Sequence, residues 1–154
     1  VLNSADFGVP QTRRRCFAGE GWLAEPTHLK DEWVSVLDAL PYLNDLSSPR
    51  VLRGLNVNTD GCGSSNNRRA NSVDSPIEKP SKTIHNNTTS LRDETPQKIR
   101  SLTISETLVL QGFSPDYDLS SATTQKARWT MIGNAVPPPM AAAVIRGIQN
   151  GLLA

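Results

Sequence analysis

Residues 3–15 read NSADFGVPQTRRR, a turn-prone Phe-Gly-Val-Pro segment that leads into a glutamine and three consecutive arginines. The glycine and proline favour a rigid turn, and an extended chain beyond it would place Arg13 and Arg15 on one side and Arg14 on the other. Two guanidinium groups on one face can hold a phosphate or a polar base edge in fork geometry. The same tripeptide is also typical of an exposed basic edge strand, so by itself it leaves both interpretations open.

A second stretch, residues 100–113, reads RSLTISETLVLQGF and predicts a capped helix. Thr103 and Glu106 form a capping-box pattern, in which the side chain of each residue accepts a hydrogen bond from the backbone amide of the other. Gly112 is the residue type that best tolerates the left-handed conformation after a helix. Taken alone, this stretch indicates a structural scaffold.

A third stretch, GNAVPPP at residues 133–139, leads into a last helix that we expect to end near Gly151. Proline costs least at a helix start, and a small residue, the Asn134 amide and free helix-start N–H groups suit a carboxylate or phosphate. A stiff loop that merely begins a helix is the alternative. Residues 140–148 carry one charge, Arg146, so we expect this helix to be buried on more than one side.

Weaker patterns predict the remaining elements. A helix capped by Thr27 should run to about Pro41, with an acidic outer face, and a shorter one from Gln125 to about Ile132. Short strands are expected at 1–3, 15–18 and 80–84. A two-stranded hairpin is marginal alone, so we expect the chain to be cut from, or to pair with, something larger. The inner face of the first helix would consist of Leu29, Trp33, Val36, Leu37 and Leu40.

The composition is that of about one globular domain. The chain has 154 residues, 16 Lys and Arg against 15 Asp and Glu, and 37% apolar residues, which excludes collagen-like, disulfide-stapled and strongly charged disordered chains. The length argues against a complete two-domain enzyme. No membrane span or signal peptide is expected, so the predicted location is cytoplasmic, or nuclear in a eukaryote. Cys16 and Cys62 form no C-x-x-C pair, so neither a metal site nor a disulfide framework is expected.

The net charge of +1 hides an uneven distribution. Residues 50–100 carry nine Lys and Arg against five Asp and Glu, a net +4, whereas residues 20–49 carry one against six, a net −5. Within residues 56–90, 17 of 35 residues are Ser, Thr or Asn, so this stretch is basic, rich in short hydrogen-bonding side chains and poor in core residues. Both a solvated linker and a nucleic-acid-binding segment fit this composition.

In this order, the three stretches resemble the C-terminal third of the DNA cytosine-5 methyltransferases. Residues 3–15 look like the eighth motif of that family, residues 100–113 like the ninth, and residues 133–138 like the tenth. The segment PIEKPSKTI at 76–84 is similar to a weaker pattern that ends the family's target recognition domain. The resemblance covers nearly the whole chain.

The resemblance implies an α/β fold: the C-terminal fragment of a Rossmann-like, S-adenosylmethionine-dependent methyltransferase sheet with a small, loop-rich target recognition domain inserted. Residues 1–19 would end the catalytic domain. Residues 20–113 would hold a linking helix, the recognition domain and the ninth motif. Residues 114–154 would carry the tenth motif and a terminal helix back to the catalytic domain, and packing on the cofactor-binding sheet would explain why that helix is so apolar.

The activity implied is methyl transfer from S-adenosylmethionine to carbon 5 of a cytosine flipped out of double-stranded DNA. The family's Pro-Cys-Gln nucleophile loop, Glu-Asn-Val acid loop and glycine-rich cofactor loop do not occur in this sequence. We therefore expect no methylation by this chain alone, and expect a partner polypeptide that carries the nucleophile loop and the cofactor-binding sheet. A non-catalytic DNA-binding module or relic is the alternative, and the retained arginines and Gly133-Asn134 favour the first hypothesis.

Site residues are implied by matching motif positions. Gln11, Arg13 and Arg15 would line the catalytic pocket, with Arg15 gripping the cytosine or its flanking phosphate, Arg13 orienting the loop and Arg14 expendable. Asn134 and Ala135 would close the cofactor site, whereas Thr103, Glu106, Gln111 and Gly112 would only hold the ninth-motif helix. Arginine and asparagine can read guanine and adenine, and Lys or His can contact phosphates. The predicted DNA-binding residues are Asn66, Asn67, Arg68, Arg69, Lys79, Lys82, His85 and Asn86.

Overall fold

The computed structural model describes residues 1–45, 51–55, 72–85, 90–92 and 98–152. Within these ranges the fold is mixed α/β, with short strands in three small sheets and four α-helices. The helices are α1 (Val36–Ala39), α2 (Ile104–Gln111), α3 (Gln125–Asn134) and α4 (Pro138–Leu152). The strands are β1 (Leu2–Asn3), β2 (Gln11–Thr12), β3 (Arg14–Arg15), β4 (Val51–Leu55), β5 (Ser72–Pro76), β6 (Ser81–Lys82), β7 (Ser90–Arg92) and β8 (Lys98–Ser101).

Two of the sheets are two-stranded and bring the N-terminal segment into the fold. β1 pairs antiparallel with β3, and β2 pairs parallel with β6, with Gln11 opposite Ser81 and Thr12 opposite Lys82. The third sheet has the order β5-β4-β7-β8 and is antiparallel throughout. The strand expected at 15–18 is wrong in its bounds, since pairing occurs at Arg14–Arg15 and the following residues form no strand.

The turn expected at Gly8-Val9-Pro10 is confirmed at Gly8, but it begins earlier, at Ser4, and is held by that buried serine. Residues Ser4–Phe7 form a short 310 turn that ends at Gly8, whose φ of 76° lies in the left-handed region. The Ser4 hydroxyl donates to the Gln11 carbonyl oxygen at 2.5 Å and accepts from the Arg13 amide at 3.0 Å. These bonds direct the chain back beside its own start and position the residues of β2 and β3.

The long helix expected from Thr27 is wrong. The chain instead forms a 310 turn at Lys30–Glu32, becomes extended at Trp33 and re-enters a helix only at α1, where Ser35 and Asp38 form a capping box. Tertiary contacts override the helical periodicity, because the amide of Thr27 donates to the Asp6 carbonyl oxygen at 2.9 Å and the Trp33 indole donates to the Asp6 carboxylate at 3.0 Å.

The capped helix expected in residues 100–113 is confirmed as α2. The Glu106 amide donates to the Thr103 hydroxyl at 3.1 Å, and the Thr103 amide donates to the Glu106 carboxylate at 2.6 Å. Gly112 ends the helix with a φ of 87°. The inner face of α2 packs with α1 and the β5–β6 turn in one hydrophobic core. The core residues are Val36, Leu40, Leu43, Ile77, Ile84, Leu102 and Leu110.

Helix α3 is confirmed but runs two residues further than expected. Gly133 and Asn134 are the last residues of this helix and do not form a loop that starts the next one. The free helix-start N–H groups expected there are therefore absent from that position. The Ala135 amide is also occupied, since it donates to the carbonyl oxygens of Met131 and Ile132 at 3.1 and 3.2 Å.

Helix α4 has the expected bounds, but it is buried on one side only in this chain. Met140, Ala143 and Val144 pack with Phe7 and Ala24 in a second core cluster. Away from this contact Ile145 is 56% exposed and Ile148 is 39% exposed. Within the described chain α4 is therefore buried on one side, with an apolar stripe facing outward, and its burial on a second side against further polypeptide stays a prediction.

Two helical glycines allow the segment 21–24 to lie directly on α4. A Cβ added to Gly147 would overlap the Leu23 carbonyl group, and one added to Gly151 would overlap the Gly21 carbonyl oxygen. The obstructing atoms belong to the backbone and cannot rotate away. This close approach joins the N-terminal part of the chain to its last helix.

No helix in the described ranges is long and apolar enough to cross a membrane. Among the same residues, no group of three or more His, Cys, Asp or Glu is arranged to hold a metal ion. Cys16 is an exposed free thiol, and Cys62 lies outside the described residues.

Candidate active site

Gln11 is the centre of a buried junction between three parts of the chain. It has no exposed surface, and its side chain bonds only to protein groups. The amide nitrogen donates to the Leu110 carbonyl oxygen at 3.2 Å and to the Gln111 Oε1 at 2.5 Å. The amide oxygen accepts from the Ile84 backbone amide at 2.8 Å. Both donor hydrogens are therefore committed to internal partners, and Gln11 acts first as a structural cross-link.

Gln111 extends this junction to the stretch that resembles the tenth motif. Its side chain is buried, and its amide nitrogen donates to the Ala135 carbonyl oxygen at 2.9 Å. The hydrogen bonds from Gln11 to Gln111 and from Gln111 to Ala135 thus join the three stretches described above. The bonded residues are 100 and 24 positions apart in the sequence. Buried polar groups that are all satisfied hold one defined packing arrangement, because a lost partner would leave a desolvated group unpaired.

Arg13 makes a second connection through the same region. It is 1% exposed, and its guanidinium donates to the Ile84 carbonyl oxygen at 2.8 Å and to the Gly133 carbonyl oxygen at 2.6 Å. Within the described part of the chain its Nε has no hydrogen-bond partner. Burial, followed by the charge of Arg15, lowers the pKa of Arg13 to about 10, so the group remains cationic at neutral pH.

Arg14 and Arg15 show the alternation expected for an extended chain. Arg13 is buried, Arg14 is exposed and Arg15 is half-buried. The Arg15 guanidinium donates to the Arg14 carbonyl oxygen at 2.8 Å, and burial lowers the pKa of Arg15. Arg15 is the more accessible of the two arginines on the inner side. Its assignment to a catalytic pocket, with Gln11 and Arg13, stays a prediction.

His85 follows Ile84, whose carbonyl oxygen accepts a hydrogen bond from the Arg13 guanidinium at 2.8 Å. Beyond the paired strands, the Thr83 hydroxyl donates to the Thr12 carbonyl oxygen at 3.0 Å. His85 is half-buried, and burial, followed by the charges of Arg13 and Arg15, lowers its pKa. Both arginine charges therefore disfavour the protonated form of His85.

Glu106 holds the start of α2 through a half-buried ion pair with Arg100. Arg100 donates to both carboxylate oxygens, at 2.8 and 2.6 Å, and the Tyr42 hydroxyl donates to Oε1 at 2.6 Å. Burial alone would raise the pKa of Glu106, but the hydrogen bonds from Arg100, the Thr103 amide and Tyr42 outweigh it and lower the pKa to about 2. This network links β8, α2 and the 310 turn at Pro41–Asp45.

The predicted cofactor residues border a cavity of about 360 Å³ on one side of α3. Asn134 is exposed at its rim, whereas both backbone groups of Ala135 already have partners within the protein. An amide beside an apolar surface fits one wall of an S-adenosylmethionine site, but it supplies no carboxylate for a ribose and no glycine-rich turn. The assignment of Asn134 and Ala135 stays a prediction. The lining residues are Leu108, Phe113, Tyr117, Leu119, Met131, Ile132, Asn134 and Ala135.

The predicted DNA-binding residues are only partly within the described chain. Lys79 and Lys82 are exposed, on the turn after β5 and on β6, where their ammonium groups can reach a phosphate. His85, at the end of the described segment 72–85, is half-buried. The other predicted readers lie outside the described residues; they are Asn66, Asn67, Arg68, Arg69 and Asn86.

Comparison with known proteins decides the family. The sequence profile of the C-5 cytosine-specific DNA methylases matches residues 25–150, which is most of the chain. The chain belongs to this family. The matched range includes the ninth- and tenth-motif stretches and excludes residues 3–15, so the eighth-motif assignment of this methylase-family chain stays a prediction.

Individual relatives match over shorter segments. The chain is 42% identical over 57 residues to DNA (cytosine-5)-methyltransferase 2 of Arabidopsis thaliana and, with the same figures, to methyltransferase 4 of that plant. It is 37% identical over 54 residues to the Type II methyltransferase M.Bpa9945I of Bacillus paralicheniformis. These segments cover 37% and 35% of the chain, but only 4% of the plant proteins and 12% of the bacterial one.

The sequence did not reveal the roles of Ser4 and Tyr42, or two hydrogen bonds of Gln111. Ser4 bonds to Gln11 across a turn, and Tyr42 bonds to Glu106, 64 residues away. A single hydroxyl residue in a sequence gives no pattern that would identify its partner. Gln111 was expected to hold the helix, but its bonds to Gln11 and Ala135 were not foreseen. A glutamine at the end of a helix, just before the terminating glycine, is the only local signal.

Proposed function

We propose that this chain is the C-terminal, target-recognising portion of a DNA cytosine-5 methyltransferase, which methylates carbon 5 of a flipped-out cytosine in duplex DNA. The junction of Gln11, Gln111 and Ala135, braced by Arg13, is the observation that carries the proposal. It brings the three motif stretches together at one place, with Arg15 and Asn134 still accessible beside it. A domain that served only to bind DNA would not need to join them.

The outward apolar stripe of α4 supports a missing catalytic portion. Ile145 and Ile148 lie three residues apart on one helical face and are exposed in this chain. Burial of two such side chains stabilises an interface by roughly 1.5–3 kcal/mol each when complete. We propose that this face packs on the cofactor-binding sheet of the remaining polypeptide. Residues 1–19 and 114–154 would then complete the catalytic domain, with the recognition domain between them.

The chemistry would be divided between the two portions. S-adenosylmethionine, when bound, supplies the methyl group, and the missing portion supplies the cysteine that attacks the cytosine ring. In this chain Arg15 would hold the flipped cytosine or its flanking phosphate, and Arg13 would keep that strand in position. Asn134 would cover one side of the cofactor near its carboxylate. The basic segment at residues 50–100 would bind the duplex, through Lys79, Lys82 and the residues at 66–69 and 86.

The test is a methyl-transfer assay with the missing portion supplied. A polypeptide that contains the Pro-Cys-Gln loop and the glycine-rich loop, from a relative or from the same source, is mixed with the chain, tritium-labelled cofactor and duplex DNA. We expect transfer to DNA by the mixture and none by either component alone. Specific DNA binding by the chain, without any transfer in the mixture, would favour a non-catalytic binding module.

Arg15→Ala and Arg14→Ala form a matched pair for this assay. We expect the first to reduce transfer by at least 100-fold, because it removes the accessible inner guanidinium, and the second to change transfer less than threefold, because Arg14 is exposed on the other side. Association of the two polypeptides, measured by size-exclusion chromatography, should be unchanged in both. Equal activities of the two variants would remove Arg15 from the site.

A further inference from the structure

The carbonyl groups at the end of α3 are bonded by side chains from distant parts of the chain. The last carbonyl groups of a helix lack partners within the helix, and the proline run that leads into α4 has no N–H groups to bond them. Arg13 donates to the Gly133 carbonyl oxygen at 2.6 Å, and Gln111 donates to the Ala135 carbonyl oxygen at 2.9 Å. Asn134 therefore lies between two backbone groups that are fixed from outside its own helix.

The orientation of the Gln111 amide is determined by its neighbours. A carboxamide accepts hydrogen bonds at its oxygen and donates them at its nitrogen. The Ile84 backbone amide donates to the Gln11 oxygen at 2.8 Å, so the Gln11 nitrogen faces Gln111 and donates to its Oε1. The Gln111 nitrogen then faces Ala135 and donates to its carbonyl oxygen. A reversed Gln111 amide would place two nitrogens together and two oxygens together, so one orientation satisfies these buried groups.

Packing at Gly112 keeps Gln111 in this place. A Cβ added to Gly112 would lie 3.0 Å from the Pro139 Cδ and 3.5 Å from the Val9 Cγ2. The end of α2 therefore fits closely between the stretch that contains Gln11 and the start of α4. Gln111 itself has no exposed surface, so water does not compete for its hydrogen bonds.

The two partners of Gln111 depend on it to different extents. The Gln11 side chain also bonds to two backbone groups, and its own backbone pairs with β6. These bonds hold the segment that leads to Arg15 without help from Gln111. The hydrogen bond that the structure gives to the Ala135 carbonyl oxygen, in contrast, comes from Gln111. Loss of the Gln111 amide would therefore affect the end of α3 more than the arginine-bearing segment.

We propose that Gln111 is a positioning residue for the cofactor side of the site. Its amide fixes the Ala135 carbonyl group and so holds Asn134, the preceding residue, in place for the carboxylate of S-adenosylmethionine. This inference rests on the proposed function, because the assignment of Asn134 to the cofactor belongs to it. It gives a residue of the ninth-motif stretch a role in cofactor binding that involves no contact with the cofactor.

Gln111→Met tests this role in the methyl-transfer assay with the missing portion supplied. Methionine has a similar length but offers no amide to bond either neighbour. We expect the KM for S-adenosylmethionine to rise about tenfold, as for a weakened hydrogen bond to a charged group, and the KM for duplex DNA to change less than threefold. Gln125→Met, at the exposed start of α3, should leave both values within twofold. A merely structural role would reduce the amount of active enzyme, and thus kcat, without separating the two KM values.

Hydrogen exchange tests the geometry without a substitution, in case Gln111→Met folds poorly. In the unchanged 154-residue chain, NMR should show the side-chain amide protons of Gln11 and Gln111 exchanging at least 100-fold more slowly than those of Gln125. Equal exchange rates would overturn the inference.

The kinetic outcomes separate the inference from the proposed function. An active Gln111→Met enzyme with an unchanged KM for S-adenosylmethionine, or with equal increases in both KM values, would overturn the inference and leave the proposed function intact. Absence of methyl transfer by the unchanged chain with the missing portion would overturn the proposed function, and the role of Gln111 toward the cofactor with it.

Discussion

Replacing Glu106 by Gln tests whether the half-buried ion pair with Arg100, at the start of α2, stabilises the fold. The carboxylate accepts four hydrogen bonds, two from Arg100, one from Tyr42 and one from the Thr103 amide, and its side chain is 6% exposed. Glutamine keeps the shape and can still bond to the Thr103 amide, but it carries no charge. The substitution therefore isolates the charge-dependent part of the network.

The magnitude follows from the pKa. A drop from the ordinary value of 4.5 to about 2 corresponds to about 3 kcal/mol of folding free energy, at about 1.4 kcal/mol per pKa unit. The Arg100 side chain is 35% exposed, so solvent screening reduces the expected loss in Glu106→Gln to about 2 kcal/mol at pH 7. Because the folded-state pKa is depressed, this contribution is complete above pH 4.5 and disappears as the pH falls through about 2.

Urea unfolding, followed by tryptophan fluorescence at several pH values from 7 to 2.5, measures this difference. The gap in unfolding free energy between the unchanged chain and Glu106→Gln should be about 2 kcal/mol at pH 7 and should narrow steadily below pH 4.5. Glu25→Gln, at an exposed position, should differ from the unchanged chain by less than about 0.5 kcal/mol. A gap that is absent at pH 7, or that stays constant down to pH 2.5, would refute the assignment of the stabilisation to the ion pair.

Two further predictions concern packing and DNA binding. Gly147→Ala should lower the unfolding free energy by about 1–2 kcal/mol, because the added methyl overlaps the Leu23 carbonyl and the gain in helix propensity offsets only about 1 kcal/mol. Asn150→Ala, at an exposed position of the same helix, should be neutral or slightly stabilising in the same thermal or urea unfolding experiment; equal effects would argue against the close approach. Duplex binding by the isolated chain should be weak and salt-sensitive, falling on the order of 100-fold between 50 and 200 mM salt if about four phosphates are contacted, as fluorescence anisotropy would show. A constant affinity over that range would exclude phosphate contacts of the +4 segment as the source of binding.

The position of the junction constrains how the site can respond to mutation. Gln11 and Arg13 match motif positions that the resemblance assigns to the pocket, yet their polar atoms bond to Ile84, Gln111 and Gly133. Loss of activity on changing either residue would therefore combine a structural and a chemical effect. Arg15, which lies at the accessible end of the same segment, separates these effects better and is the residue of choice for kinetic analysis.

Locally encoded features were predictable from the sequence. Thr103, Glu106 and Gly112 determine both ends of α2 through bonds within one turn, and the glycine after the Ser4–Phe7 turn permits a left-handed residue that other side chains resist. The resemblance to the cytosine-5 methyltransferases likewise came from linear motifs, and the family profile supports it over residues 25–150. In each case the residues that determine the feature are close together in the sequence.

Tertiary structure alone decided what those elements contact. The helix expected after Thr27 does not form, because Asp6 holds the amide of Thr27 and the indole of Trp33, and no helical periodicity can reveal such a competitor. The bonds of Gln11 to Gln111 and of Arg13 to Gly133 join residues about 100 or more positions apart. Sequence patterns record the preferences of neighbouring residues, whereas a buried hydrogen bond depends on where the whole chain brings its donor and acceptor together.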